Sequence, residues 1–283
     1  MKIGLNLLLW TVRLEETDLQ RLDVLKEIGF DGVEIPLSPD YSDRFLDKVS
    51  RRLQSLDLAC SCSAFLPPES SAIHPDPSVR KRGQRQLEQF VNMAARLNSS
   101  VVMGPMHSPH KDFPGRGPSM DEKKWCAEVL HKSGEYAQSH DIRLSVEFLN
   151  RFECYFLTHS LEAKALVDMV DHPHVGMTYD THHAHLEDAS IHDTIMTCQQ
   201  SINHIHISES HRGTPGKGLV NWAETFRAIK DIQYDDWLVV EAFGQGNQVL
   251  IQGANIWRNC FESEDQLCKE ALHFVNEQIN FTI

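Results

Sequence analysis

Ser145-Val146-Glu147-Phe148-Leu149-Asn150-Arg151-Phe152-Glu153 is the stretch whose reading decides the fold. A short β-type run, Ile142 to Val146, leads into it and delivers Glu147 at its tip. A polar turn follows at once and carries a second carboxylate, Glu153. An acid at the C-terminal end of a buried strand, opening into a polar loop, is where an α/β barrel keeps its chemistry.

Working outward, the same rhythm recurs in both directions. Strand-like runs are read at Ile3 to Leu9, Gly32 to Pro36, Leu58 to Phe65, Ser100 to Met103, Ile142 to Glu147, Val175 to Tyr179, Ile202 to Ile207 and Trp237 to Glu241. Between them lie segments with apolar residues at helical spacing: Asp18 to Ile28, Asp43 to Leu56, Ser78 to Leu97, Met120 to His140, His159 to Val170, Ile191 to Gln200 and Asn221 to Asp231. Strand–helix alternation repeated eight times predicts a parallel sheet with helical crossovers. In a chain of 283 residues with no linker or low-complexity tract, it predicts one closed (β/α)₈ TIM barrel in a single domain spanning 1–283. A final amphipathic helix, Gln266 to Ile279, falls in a C-terminal helical extension at about 262–283. The segment from Gly104 to Ser119, rich in Pro, Gly and His, reads as a long loop whose role the sequence leaves open.

Composition narrows the partners. A formal net charge of −13 disfavours nucleic acid, whose phosphate backbone asks for basic patches. It suits a protein that holds a cation and a neutral small molecule. No apolar run approaches the ~18 residues of a membrane span. Met1 to Asn6 runs directly into a strand, so no signal peptide is read. The seven cysteines are odd in number and scattered, as expected of reduced thiols in a cytoplasmic protein.

Four potential metal ligands stand at or near consecutive strand ends: Glu147, Asp180, His206 and Glu241. In a parallel barrel those ends share one mouth, so the four converge. Three carboxylates and an imidazole suit one divalent ion, Mn²⁺, Mg²⁺ or Co²⁺, better than structural zinc. The bland alternative for any one of them is a salt bridge or a helix cap. Alternation puts His204 and His206 on the same strand face, so spacing does not choose between them. His183 follows Asp180 by one turn at the mouth. Arg212 sits in the tight loop Glu209 to Gly218, which reads either as a plain structural loop or as a backbone cradle for an anion; it lacks phosphate-loop spacing.

At these residues the sequence resembles the ketose 3-epimerases, the D-tagatose and D-psicose 3-epimerase family of the xylose-isomerase-like barrels. Gly29-Phe30-Asp31-Gly32-Val33-Glu34-Ile35 is similar to the family's second-strand block. Glu147 to Glu153 is similar to its Glu-x-x-Asn-Arg-Phe-Glu motif. Asp180-Thr181-His182-His183 stands where the family has Asp-Thr-Phe-His. The stretch His204 to Arg212, then Pro215 to Gly218, matches His-x-His-x-Gly-Glu-x-Asn-Arg and its Pro-Gly-x-Gly tail. The resemblance implies that Glu147, Asp180, His206 and Glu241 hold the metal, which selects His206 over His204. It implies that Glu147 and Glu241 are the catalytic acid/base pair. It also implies that Glu153, His183 and Arg212 bind the O1 to O3 end of a sugar, and that the protein forms a homo-oligomer, a dimer or a tetramer. Departures fall at His182, Ser208, His211 and Ala242, and the loop after strand 4 does not resemble the family's.

The expected activity is C3 epimerisation of a free ketose through a cis-ene-diolate. Aldose–ketose or hydroxypyruvate-type isomerisation on the same metal site would move the proton between C1 and C2 instead, and keto-inositol dehydration would release an enone. A metal-dependent abasic-site endonuclease would need a basic groove and more ligands, and a non-catalytic binding protein would exchange no carbon-bound proton.

Overall fold

The computed structural model describes residues 1–281, so the last two residues of the expected C-terminal extension lie outside the described residues. Eight parallel strands close in sequence order: β1 (Lys2–Asn6), β2 (Gly32–Pro36), β3 (Ala59–Ser63), β4 (Val101–Gly104), β5 (Arg143–Glu147), β6 (Val175–Asp180), β7 (Ile202–Ser208) and β8 (Trp237–Glu241). Strand β1 closes the ring by pairing Leu5 with Val33 on one side and with Val240 on the other. This is the expected TIM barrel.

The connecting helices are α1 (Leu19–Ile28), α2 (Asp43–Ser55), α3 (Pro77–Arg96), α4 (Met120–Gln138), α5 (Ser160–Val170), α6 (Thr181–Glu187), α7 (Ile191–Cys198) and α8 (Trp222–Asp231). Past β8 come α9 (Gln248–Gly253) and α10 (Glu264–Phe281). Their ends are written in the sequence. Gly29 stops α1 in the left-handed region at φ 112° and returns its N–H to Leu25. Ser42 caps α2, and a Ser119/Glu122 capping box opens α4.

The interior of the barrel is layered. Val101, Met103, Trp237 and Val239 form a small apolar cluster of their own. The larger cluster fills the space between strands and helices. Trp237 fits because of Gly32. A Cβ on Gly32 would lie 2.6 Å from the Trp237 ring and 2.3 Å from the Ala59 carbonyl oxygen. Beyond this apolar plug, buried polar side chains take over: Asn6, Glu34, Ser61, Ser145, Thr178 and His204.

Three departures from expectation bear on the site. Strand β1 ends at Asn6 rather than running to Leu9, because the Asn6 side chain accepts from Leu8 N and turns the chain into a 3₁₀ turn over Leu7–Leu9. Helix α6 is absent from the sequence reading, since Thr181-His182-His183-Ala184-His185 offers no apolar period; Asp180 starts it as an N-cap. Helix α9 is likewise unforeseen. The segment 105–119 contains no helix or strand, as expected. Among the described residues, no helix is long and apolar enough to cross a membrane.

Candidate metal centre and sugar site

The four expected ligands converge. Glu147, Asp180, His206 and Glu241 each offer an atom within 4.8 Å of the others, and all four are buried. His206 Nδ1 is the hub. It lies 3.3 Å from Glu147 Oε1, 3.5 Å from Asp180 Oδ2 and 3.4 Å from Glu241 Oε1. Strand pairing explains part of this, because Asp180 sits opposite His206 in register, and Ser208, two residues on, sits opposite Glu241.

Each carboxylate is held differently. Asp180 Oδ1 accepts from the backbone N–H of His182 (2.6 Å) and His183 (3.0 Å), which leaves Oδ2 facing the hub. Glu241 Oε1 accepts from Asn6 Nδ2 at 3.0 Å, and its Oε2 accepts from Arg212 Nη1 at 2.6 Å. Glu147 Oε1 has no hydrogen-bond partner, nor does His206 Nδ1. Two buried polar atoms orphaned at the meeting point of three carboxylates are costly unless a cation completes them. The donor set and its orphaned atoms therefore fit a divalent metal ion.

The electrostatics follow from this crowding. Burial pushes Glu147 up to about 8, the nearby Glu241 and Asp180 charges push the same way, and His206 only partly opposes them. For Asp180, burial is outweighed by His183, Arg212 and His206, and the carboxyl sits well below its usual range. His206 is buried too, yet Glu241 and Glu34 hold its proton well above the ordinary imidazole range.

Beside the hub lies a second group, Glu153, His183 and Arg212. Arg212 Nη1 donates to Ser208 Oγ at 2.9 Å and faces Asp180 Oδ2 at 3.3 Å. Its Nη2 stands 3.0 Å from His183 Nε2 and 4.0 Å from Glu153 Oε1. The guanidinium stacks 5.0 Å over the Phe243 ring. Arg212 itself sits at φ 60°, a left-handed backbone fixed by its N–H to the Glu209 carbonyl. His183 Nδ1 accepts from the backbone N–H of Asn150 at 3.0 Å, so its proton belongs on Nε2, toward the arginine. Burial lowers the His183 pKa. Glu153 takes Asn150 Nδ2 at 2.9 Å and His110 Nε2 at 3.2 Å. Burial disfavours its ionisation, but His110, His183 and Arg212 outweigh that and hold it below the usual carboxylate range. The seven expected site residues thus form one continuous cluster.

Of the two readings of the loop around Arg212, the structural one is found. Its backbone N–H groups do meet an anion, but that anion is Glu209. The Glu209 carboxylate accepts from Ser210, Gly216 and Val220 N–H and from Trp222 Nε1. The cradle is internal, and it folds the loop.

Other contributors went unseen in the sequence. His107, buried in the loop after β4, stands 2.9 Å from the Glu147 carbonyl through Nε2, while its Nδ1 accepts from Ser108 N; burial lowers it to about 4. His110 and the N–H of Lys111 both hold Glu153, and Lys111 Nζ reaches the Gln252 carbonyl in α9 and Asn255 Oδ1 just past it. The loop therefore buttresses the Glu147–Glu153 stretch. Glu34, on β2, meets His206 from behind.

Residues 22–260 match the family described as xylose isomerase-like TIM barrel. The chain belongs to that family. It is 28% identical to a ketose 3-epimerase of Arthrobacter globiformis, over 99% of this chain and 97% of that one. A solved L-ribulose 3-epimerase superposes with a TM-score of 0.93 at 27% identity, covering 99% of this chain and 95% of that one. A D-psicose 3-epimerase from Clostridium cellulolyticum H10, solved with D-tagatose, gives 0.91 at 25% identity over 99% of both chains. The resemblance read from the motifs is borne out at the level of the family.

Proposed function

We propose that this protein is a divalent-metal-dependent ketose 3-epimerase acting on a free ketose. The observation that carries the proposal is the pair Glu147 and Glu241, whose carboxylates approach one imidazole nitrogen from two different strands, at 3.3 and 3.4 Å. Epimerisation needs one group to take a proton from a carbon and another to return it on the opposite face. Two carboxylates with unlike surroundings supply that need. Glu147 has one carboxylate oxygen without a partner, whereas Glu241 is tied to Asn6 and Arg212.

Glu147, Asp180, His206 and Glu241 would hold the ion. The chemistry it would supply there is polarisation of the C2 carbonyl and stabilisation of the ene-diolate charge. Mn²⁺ is the ion proposed, ahead of Mg²⁺ and Co²⁺, for an oxygen-rich set with one imidazole. Glu153, His183 and Arg212 bind the O1 to O3 end. His183 Nε2–H and Arg212 Nη2 bring two donors to one spot, an arrangement that a sugar oxygen satisfies by accepting from both. Three backbone donors of the 209–220 loop, those of Ser210, Gly216 and Val220, are spent on Glu209, which favours a neutral sugar over a phosphorylated one. The similarity to ketose 3-epimerases along nearly the whole chain supports the same reading. A cytoplasmic location is part of the proposal and draws support from seven unpaired cysteines. A homo-oligomer of two or four copies rests on the resemblance.

The test is to incubate metal-loaded protein with a panel of ketoses in D₂O and follow proton NMR. Deuterium is expected at C3 of one ketose pair. Deuterium at C1 alone would instead identify an aldose–ketose isomerase.

A further inference from the structure

We propose that Glu34 is a positioning residue of the metal centre, fixing His206 through its Nε2 and Glu241 through Asn6. The inference rests on the reading of His206 as a metal ligand.

Glu34 lies on β2, across the barrel from the ligand strands, and is fully buried. Its two oxygens are spoken for. Oε1 meets His206 Nε2 at 2.7 Å and Asn6 Nδ2 at 3.0 Å. Oε2 accepts from Ser61 Oγ at 2.9 Å and lies 2.9 Å from His204 Nε2. Asn6 is equally committed. Its Nδ2 divides two hydrogens between Glu34 Oε1 and Glu241 Oε1, each at 3.0 Å, while its Oδ1 accepts from Leu8 N. One buried carboxylate therefore reaches two of the four ligands, one directly and one through a side chain with no freedom to turn.

A hydrogen bond to Nε2 does two things for a histidine ligand. It keeps the proton on that nitrogen, so Nδ1 presents its lone pair, and it fixes the plane of the ring. Here that lone pair points into the three carboxylates. A mere filler of the barrel interior would be better apolar, as Trp237 and Val239 are in the neighbouring layer, because a buried charge is costly.

Glu34, His204 and His206 also lie close enough to suggest a second ion between them. The hydrogen bonds argue otherwise. Asn6 and Ser61 both donate to the Glu34 oxygens, and the ring of His206 faces it with Nε2, so the carboxylate serves as an acceptor and not as a ligand.

The experiment uses metal-free full-length protein and its Glu34→Gln and Glu34→Ala variants. Each is titrated with Mn²⁺ by calorimetry, with circular dichroism to confirm the fold. The Mg²⁺-loaded forms are examined for the imidazole N–H of His206 by proton NMR. Wild type is expected to bind one equivalent. Glu34→Gln, which keeps the shape but loses the charge, should bind about tenfold more weakly, and Glu34→Ala about a hundredfold. The His206 Nε2–H resonance, far downfield in wild type, should move upfield in Glu34→Gln. If the alanine variant does not fold, the glutamine variant decides. Wild-type affinity and an unmoved resonance in a folded Glu34→Gln would leave Glu34 a structural residue only. Two equivalents in wild type, falling to one in Glu34→Gln, would make Glu34 a ligand and overturn the proposal. Wild type that binds no ion would defeat the metal centre itself, and the positioning role with it.

Discussion

Arg212 Nη1 donates to Glu241 Oε2 at 2.6 Å while its Nη2 stands 3.0 Å from His183 Nε2. One planar fork thus joins the proposed acid/base pair to the proposed sugar contacts. Lysine carries the same charge but cannot span both positions. Arg212→Lys is expected to stay folded and lower kcat/KM by about a hundredfold, the usual scale for losing a positioning contact. Steady-state epimerisation kinetics check this. Undiminished kcat/KM would remove Arg212 from substrate positioning.

Ser208 occupies the place of the glycine in the resembled family and gives the same nitrogen, Arg212 Nη1, a third partner at 2.9 Å. Ser208→Gly removes that partner while Asp180 and Glu241 remain. Loss of a single hydrogen bond of about 1 kcal/mol corresponds to a roughly fivefold fall in kcat/KM. A fall approaching that of Arg212→Lys would mean that Ser208 touches substrate itself.

Glu147→Gln and Glu241→Gln separate proton transfer from folding. Both substitutions keep volume and leave three of the four proposed ligands intact. Each variant should fold and still take up metal, more weakly than wild type. C3 proton exchange should fall by about 10²–10⁴, the range attributed to a positioned acid or base. Exchange in D₂O, read by NMR, is the measurement. Exchange at the wild-type rate in either variant would take that residue out of the acid/base role.

The parts of the fold legible in the sequence were those set by local pattern. Strands β2 and β8 end where the sequence reading put them, because each is a five-residue run bounded by clear breaks. The four strand-end ligands were legible for the same reason, once eight strands implied one mouth. Glu34 was visible only as one residue of the second-strand block, since its partner His206 lies 172 residues away and no spacing rule spans that distance. His107 and His110 were hidden in an irregular loop, where no periodicity says which way a side chain points. At Glu209 the sequence left two readings open, a plain structural loop or a cradle for an anion. A loop that looked able to cradle an outside anion holds one of its own.

Removing the ion should have two separable effects. Dialysis against a chelator is expected to abolish C3 exchange, and one equivalent of Mn²⁺ to restore it. The metal should also stabilise the fold, because it binds the native cluster and not the unfolded chain. At a hundredfold excess over Kd that amounts to about 2.7 kcal/mol, seen as a saturable rise in the thermal midpoint. Full activity after exhaustive chelation, with no metal detectable by mass spectrometry, would refute metal dependence.

Glu122 gives a pH-dependent test away from the metal cluster. Its carboxylate takes both arms of Arg116, at 2.8 and 2.7 Å, together with Ser119 N–H and the Tyr155 hydroxyl. The Arg116 hydrogen bond is the main cause of its fall from 4.5 to about 2. A folded pKa below the unfolded one means the unfolded chain binds the proton more readily. The contribution is therefore complete above about pH 4.5 and is lost as pH falls through about 2. A gap of that size is worth up to about 3 kcal/mol. Because Arg116 is half exposed and screened by solvent, about 1–2 kcal/mol is expected. Urea unfolding of wild type and Glu122→Gln between pH 7 and pH 3 should show that difference at neutral pH and a narrowing gap towards acid. A gap that stays constant across the range would show that Glu122 acts through its shape and caps alone, and that its charge contributes nothing.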